Sequence, residues 1–128
     1  PLREILDAAG ILQLRQWVRE VPLADVVKDY AVRLIMSTHA KEEKSGGESL
    51  AQRYVMYGSS PRGLQSVILA AKARALFAGR PNVSFEDIRA MLLPSLRHRL
   101  ILNLEADADG VSSEKILAEL TTHVAEVA

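Results

Sequence analysis

Apolar positions recur at intervals of three and four residues along most of this chain. Such spacing is typical of helices that bury one side, and the alternation expected of strands is nearly absent. Asp7 is predicted to cap a first helix, which should end near Val21 because the residue before a proline avoids helical geometry. The predicted buried stripe of this helix consists of Ile11, Leu12, Leu14, Trp17 and Val18.

A second helix is predicted over residues 24–38. A polar, glycine-containing loop at residues 41–48 should follow it, and residues 50–57 fit either a short helix or an extended arm. The predicted inward face of the second helix consists of Val26, Val27, Tyr30, Leu34 and Ile35.

The longest predicted helix covers residues 61–78. Pro61 suits its first position, because the ring presets φ and the missing amide hydrogen would be unpaired there anyway. Gly79 stands where a left-handed residue commonly ends a helix. The predicted buried face contains small residues that allow close helix packing; it consists of Leu64, Val67, Ile68, Ala71, Ala75 and Leu76.

Two further helices are predicted in the last third of the chain. Ser84 and Asp87 form a near capping box, and Pro94 should limit or kink the helix that they start. The last helix should begin at Ser112 or Ser113, after a turn at residues 107–110. The apolar positions are Ile88, Met91 and Leu92 in one helix and Ile116, Leu117, Leu120 and Val124 in the other.

These elements predict an all-α fold, a small bundle of about five helices that forms one domain over residues 1–128. Hydrophobic residues at 48% and charged residues at 25% are typical of a globular protein. The 16 basic and 16 acidic residues balance, which argues against a nucleic-acid or membrane surface. The absence of cysteine agrees with a reducing, cytoplasmic compartment, and no apolar run approaches the roughly 18 residues that cross a bilayer.

No self-contained active site or metal site is predicted. His39, His98 and His123 lie far apart and lack the local pairing typical of zinc ligands. The acidic turn at residues 105–110 resembles half of a calcium loop, but Ile116 occupies the position that needs a glutamate. Nucleophile-elbow and phosphate-loop motifs are also absent. The turn is therefore interpreted as the cap of the last helix.

Arg62 is the strongest candidate for chemistry. It lies in the first turn of a predicted helix, behind Pro61, and Ser60 or Ser59 could cap the free amides. A helix N-terminus favours anions, and a guanidinium fork matches phosphate oxygens. We therefore predict that Arg62 is accessible and directed toward a phosphate.

A second basic group consists of Arg97, His98 and Arg99, with Arg80 and Arg89 upstream. These side chains could contact nucleic-acid phosphates, but no aromatic platform accompanies them. Packing, or ion pairs with acidic groups on a neighbouring domain, explains them at least as well.

Three motifs in order resemble the C-terminal helical lid of AAA+ ATPases of the MoxR family. GSSPRG at residues 58–63 is similar to the sensor-2 motif GASPRA, GRPNVSFEDI at residues 79–88 to GRxxVTPEDV, and LRHRL at residues 96–100 to the same letters. The resemblance spans about residues 12–124. Departures include Ser59 and Gly63 in place of alanines, Phe85 in place of proline, and Thr38-His39 in place of Thr-Arg.

The resemblance implies that Arg62 is the sensor-2 arginine, which contacts the terminal phosphate of ATP, and that Pro61 and Ser60 position it. ATP and magnesium would be bound mainly by a missing N-terminal core, to which residues 1–10 would lead, and catalytic and metal-binding residues would lie there. The parent protein would form a ring, with six subunits, that remodels partners such as proteins with von Willebrand factor A domains. A helical interaction or DNA-binding module unrelated to ATP is the alternative; a Walker motif upstream would decide against it.

Overall fold

The computed structural model describes residues 5–39 and 49–127. Within these ranges it has seven helices and one short antiparallel sheet, so the predicted all-α class is confirmed and the estimate of about five helices was low. The predicted loop at residues 41–48 lies outside the described residues. The elements are α1 (Ala8–Glu20), α2 (Asp25–Met36), α3 (Leu50–Tyr54), β1 (Val55–Tyr57), α4 (Pro61–Phe77), α5 (Phe85–Leu96), β2 (Ile101–Leu102), α6 (Leu104–Ala108) and α7 (Ser113–His123).

Helix α4 is the centre of the domain, and it packs against α1, α2 and α5. Val67, Ala71 and Ala75 are completely buried along one side. Two of these residues are alanines, which let the neighbouring helix backbones approach closely. The predicted face of α4 is therefore confirmed, with Leu64, Ile68 and Leu76 packed at its margins.

Helix α2 supplies much of the remaining core through Val27, Tyr30, Leu34 and Ile35. Tyr30 meets the ring of Phe85 from α5 edge to face, with 5.4 Å between centroids. The prediction that Val26 faces inward was wrong, because 42% of this residue is exposed. Each helical residue turns about 100° from the one before it, so Val26 falls outside the stripe that Val27, Tyr30 and Leu34 define.

Helix α1 begins and ends as predicted but does not bury its apolar stripe. The Asp7 carboxylate accepts a hydrogen bond from the Gly10 amide at 2.7 Å, and the helix ends before Val21. No residue of α1 is buried, and Trp17 is 48% exposed. The helix packs on α4, where Lys72 donates to the Arg19 carbonyl. Within the predicted stripe, Leu14 and Val18 are partly buried, whereas Ile11, Leu12 and Trp17 are exposed, so the prediction that the whole stripe is buried was wrong.

Residues 50–57 contain both of the structures that the sequence allowed. Ser49 and Gln52 form a capping box for α3, and the chain then continues directly into β1. Val55 lies opposite Leu102 of β2 in the antiparallel ladder. Among the aromatic residues, Tyr30 and Tyr54 belong to the core, whereas Trp17, Tyr57 and Phe77 are exposed.

The last helices follow the predicted start signals. Ser84 caps α5, which continues past Pro94 to Leu96, and the Ser112 hydroxyl caps α7. Ile116, Leu117 and Leu120 of α7 are buried. Among the helices of the described ranges, none is long and apolar enough to cross a membrane.

Candidate functional site

The N-terminal end of α4 holds Arg62 at the surface. Pro61 occupies the first helical position, as predicted. The Ser60 carbonyl accepts hydrogen bonds from the Gly63 amide at 2.8 Å and the Leu64 amide at 3.4 Å, which closes the first turn. Arg62 is exposed, and it forms no ion pair with any residue in the described ranges. The prediction that Arg62 is accessible is therefore confirmed.

The predicted serine cap of α4 is wrong. Ser60 occupies the N-cap position, but its hydroxyl accepts no hydrogen bond from the first turn. The Ser59 hydroxyl lies 3.5 Å from the Ser60 carbonyl instead. The first turn of α4 therefore has no side-chain cap, unlike that of α5 or α7. Pro61 has no amide hydrogen and the Gly63 amide donates to the Ser60 carbonyl, so the Arg62 amide is the group of this turn that remains for an anion among the described residues.

Ser59 and Gly63 depend on each other sterically. A Cβ atom added to Gly63 would lie 1.9 Å from the Ser59 hydroxyl oxygen and 3.0 Å from a methyl group of Leu96. The hydroxyl thus occupies the space that an alanine methyl at position 63 would need. The two departures from the GASPRA pattern are therefore coupled, since a serine at the first position favours a glycine at the second.

At the other end of α4, Asp87 forms a buried ionic cluster. Its carboxylate is completely buried and accepts a bidentate pair of hydrogen bonds from Arg80 and another from Arg74. The Ser84 amide and hydroxyl each donate to the same carboxylate at 2.9 Å. The Arg80 guanidinium, together with Ser84 and Arg74, holds the pKa of Asp87 well below its usual range despite the opposing effect of burial.

This cluster explains the charged residues of the motif GRPNVSFEDI at residues 79–88. From the sequence, only the capping box of this motif was predicted. Gly79 adopts a left-handed φ of 68° at the end of α4, which directs the chain into Arg80. The signal that was available was a pair of basic residues, Arg74 and Arg80, flanking a helix end shortly before an acidic first turn. Periodicity could not show that the Asp87 carboxylate accepts hydrogen bonds from both arginines.

The other arginines of the second basic group have partners inside this domain. Arg89 pairs with Glu126, and Arg97 pairs with Glu114 at 2.6 Å. Arg99 donates to the Ser95 carbonyl and to the Ser66 hydroxyl. The prediction of ion pairs with a neighbouring domain is therefore corrected for Arg89 and Arg97, whose acidic partners belong to this chain.

The histidines and the acidic turn show no metal-binding arrangement. Over residues 5–39 and 49–127, no three histidine or acidic residues lie together in a way that could hold a metal ion. His39 contacts the Ser59 carbonyl, and His123 contacts the Glu119 carbonyl. The segment that resembles a calcium loop is mostly helix α6, and after it Asp109 accepts a hydrogen bond from Tyr54 at 2.8 Å. The interpretation of this segment as the cap of the last helix was wrong, because the Ser112 hydroxyl caps α7.

Comparisons with known proteins agree on one family. The model of the AAA lid domain matches residues 47–120. The chain is 31% identical over 123 residues to Chaperone MoxR1 of Mycobacterium tuberculosis, covering 96% of this chain and 32% of that protein. It is 43% identical over 53 residues to Protein MoxR of Paracoccus denitrificans, covering 41% of this chain and 16% of that protein.

A solved structure shares the fold. The crystal structure of a protein provisionally assigned as an ATPase from Cytophaga hutchinsonii superposes with a TM-score of 0.83 and 27% sequence identity. The match covers 96% of this chain and 37% of that one. The chain thus spans about a third of the length of MoxR1 and of this structural relative.

Proposed function

The chain belongs to the AAA lid domain family in its MoxR-type form, and from this we propose that it is the C-terminal lid of an ATP-hydrolysing, chaperone-like AAA+ ATPase. In this proposal Arg62 is the sensor-2 arginine and contacts the terminal phosphate of ATP. Pro61 sets the start of the helix, and Ser60 closes its first turn through its carbonyl. ATP and magnesium are bound mainly by a core outside this chain.

The accessibility of Arg62 is the observation that carries the proposal. A guanidinium at the surface of a helix start without a side-chain cap can meet a phosphate without first breaking an ion pair to any residue of the described ranges. Charge spreads over the γ-phosphate oxygens during phosphoryl transfer, and an arginine supplied to them can contribute roughly 10³–10⁵ in rate. Movement of a rigid lid with nucleotide state would then couple hydrolysis to the remodelling of partner proteins.

The proposal extends to assembly and location as the resemblance implies them. The ATPase forms a cytoplasmic ring of six subunits and acts on partner proteins, among them proteins with von Willebrand factor A domains. The lid contacts the core of its own chain and the neighbouring subunits.

The test replaces Arg62 in the ATPase that carries this lid. Arg62→Ala should reduce ATP turnover by at least about 100-fold, and Arg62→Lys should recover only part of it because lysine lacks the planar fork. Arg97→Ala is the matched control, since Arg97 is an exposed arginine of the same domain that pairs with Glu114. Unchanged turnover of Arg62→Ala in a normally assembled ring would remove Arg62 from the mechanism.

A further inference from the structure

The loop that leads into α4 is held by two consecutive residues that follow α2. The Ser59 amide donates to the Thr38 hydroxyl at 2.9 Å, and the Ser59 carbonyl lies 2.9 Å from Nε2 of His39. The Thr38 hydroxyl in turn donates to the Ile35 carbonyl at 2.6 Å, in the last turn of α2. Thr38 and Ser59 are both almost completely buried.

The geometry defines the chemistry of both contacts. A carbonyl oxygen only accepts hydrogen bonds, so His39 must carry a hydrogen on Nε2 and donate it. Hydrogen bonds to both the amide and the carbonyl of Ser59 constrain the direction of the chain more than either bond would alone. Because Thr38 and His39 are adjacent, a single turn at the end of α2 sets that direction.

Gly58 is required by the same contact. A Cβ atom at this position would lie 2.7 Å from the Thr38 carbonyl oxygen and 2.9 Å from the ring of His39. The nearest atoms are backbone atoms, which cannot turn aside as the end of a side chain can. Glycine therefore allows the loop to approach closely enough for both bonds to Ser59.

A short and constrained stretch of backbone connects this contact to Arg62. Ser60 is the only residue between Ser59 and the first helical residue, Pro61, and the Ser60 carbonyl is already bonded to the first turn of α4. The proline ring fixes a further backbone angle. The position of Arg62 relative to α2 is thus determined by a short run of constrained bonds.

We infer that Thr38 and His39 are positioning residues for Arg62, which transmit the orientation of α2 to the arginine through the Ser59 backbone. The inference rests on the proposed function of Arg62. A misplacement of about 1 Å at a phosphoryl-transfer site can cost about 100-fold in rate. Loss of the His39 bond should therefore affect turnover much more than folding, because His39 itself is exposed.

The experiment measures ATP turnover of the assembled ATPase for two pairs of variants. His39→Ala removes the donor and should lower kcat by about 10- to 100-fold, whereas His39→Gln, which places an amide donor near the former Nε2, should restore most of it. Thr38→Val removes the hydroxyl with little change of shape, and Thr38→Ser retains it. The melting temperature of His39→Ala should stay within about 5 °C of the wild type.

A double variant separates positioning from general damage. If His39 acts through Arg62, His39→Ala should have no further effect on turnover in an Arg62→Ala background. Normal turnover of His39→Ala, or an equal loss in both backgrounds, would overturn the inference while leaving the role of Arg62 intact. Normal turnover of Arg62→Ala alone would overturn the proposed function and this inference together.

Discussion

The two ends of α4 carry arginines with similar neighbours in the sequence and opposite surroundings in the structure. Arg62 lies between a proline and a glycine, and so does Arg80. Arg80 is bound to the buried carboxylate of Asp87, whereas Arg62 has no ionic partner within the ranges that the structure describes. The two arginines differ in whether a buried carboxylate accepts their hydrogen bonds, and the neighbouring residues in the sequence do not reveal this.

The comparison distinguishes an arginine that stabilises the fold from one that is available to a ligand. The charge of Arg80 is neutralised within the domain, so an incoming phosphate would have to compete with Asp87. The charge of Arg62 has no acidic partner in the described ranges, so it is available to an anion supplied from elsewhere. Substitutions of the two groups of residues should therefore differ in their effect on stability.

Removing the charge of Asp87 should be the most destabilising of these changes. Asp87→Asn leaves Arg74 and Arg80 facing a neutral amide that cannot satisfy both, and we expect a loss of about 3 kcal/mol in the free energy of unfolding. Glu86→Gln is the matched control, because Glu86 is exposed and pairs with Arg74 at the surface; it should change stability by less than about 1 kcal/mol. Chemical denaturation measures both. Equal effects would show that burial of Asp87 does not matter.

The stability of the fold at low pH should also depend on the Asp87 carboxylate. The pKa of Asp87 is lowered in the folded state, so the unfolded chain binds the proton more readily and protonation favours unfolding. The stability that Asp87 contributes is therefore complete above the ordinary aspartate pKa of about 4, and it is lost as the pH falls below that value. Denaturation curves between pH 7 and pH 2 should show a steeper acid loss for the wild type than for Asp87→Asn. Parallel curves would contradict the assignment.

The two arginines themselves should respond differently. Arg80→Ala removes charge-assisted hydrogen bonds to a buried carboxylate and should cost about 2 kcal/mol. Arg62→Ala removes an exposed side chain without an ionic partner in the described ranges and should change stability by no more than about 0.5 kcal/mol. Thermal unfolding of the two variants under one condition makes the comparison. Similar losses would mean that Arg62 also has a structural role.

The sequence predicted the start and face of a helix well where a local signal defines them. Pro61 and Gly79 mark the ends of α4, and Ser84 marks the start of α5, because the chemistry of helix ends involves residues only a few positions apart. The buried face of α4 followed from spacing alone. These features explain why Arg62 was correctly predicted to lie in the first turn of α4.

The errors have a common physical cause. Periodicity shows which residues share a face of a helix, but it does not show whether another element covers that face. The stripe of α1 was predicted to be buried, but Ile11, Leu12 and Trp17 are exposed. The sheet between β1 and β2 is also too short, at three and two residues, for alternation to be recognised. Contacts between distant segments, such as His39 with Ser59, leave no periodic signal.

Packing at the end of α4 that carries Arg62 should depend on the Ser59 hydroxyl. Gly63→Ala should gain up to about 1 kcal/mol from helix propensity, but the new methyl group meets the Ser59 hydroxyl. In a Ser59→Ala background that contact is removed, so the same substitution should be more favourable by about 1 kcal/mol. The contact with Leu96 is present in both backgrounds and cancels in the comparison. Unfolding free energies of the two single variants and the double variant give this coupling. If Gly63→Ala had the same effect in both backgrounds, the hydroxyl would not be the reason for glycine, and the contacts that both backgrounds keep, with Leu96 and with the Cβ atom of residue 59, would have to limit this position.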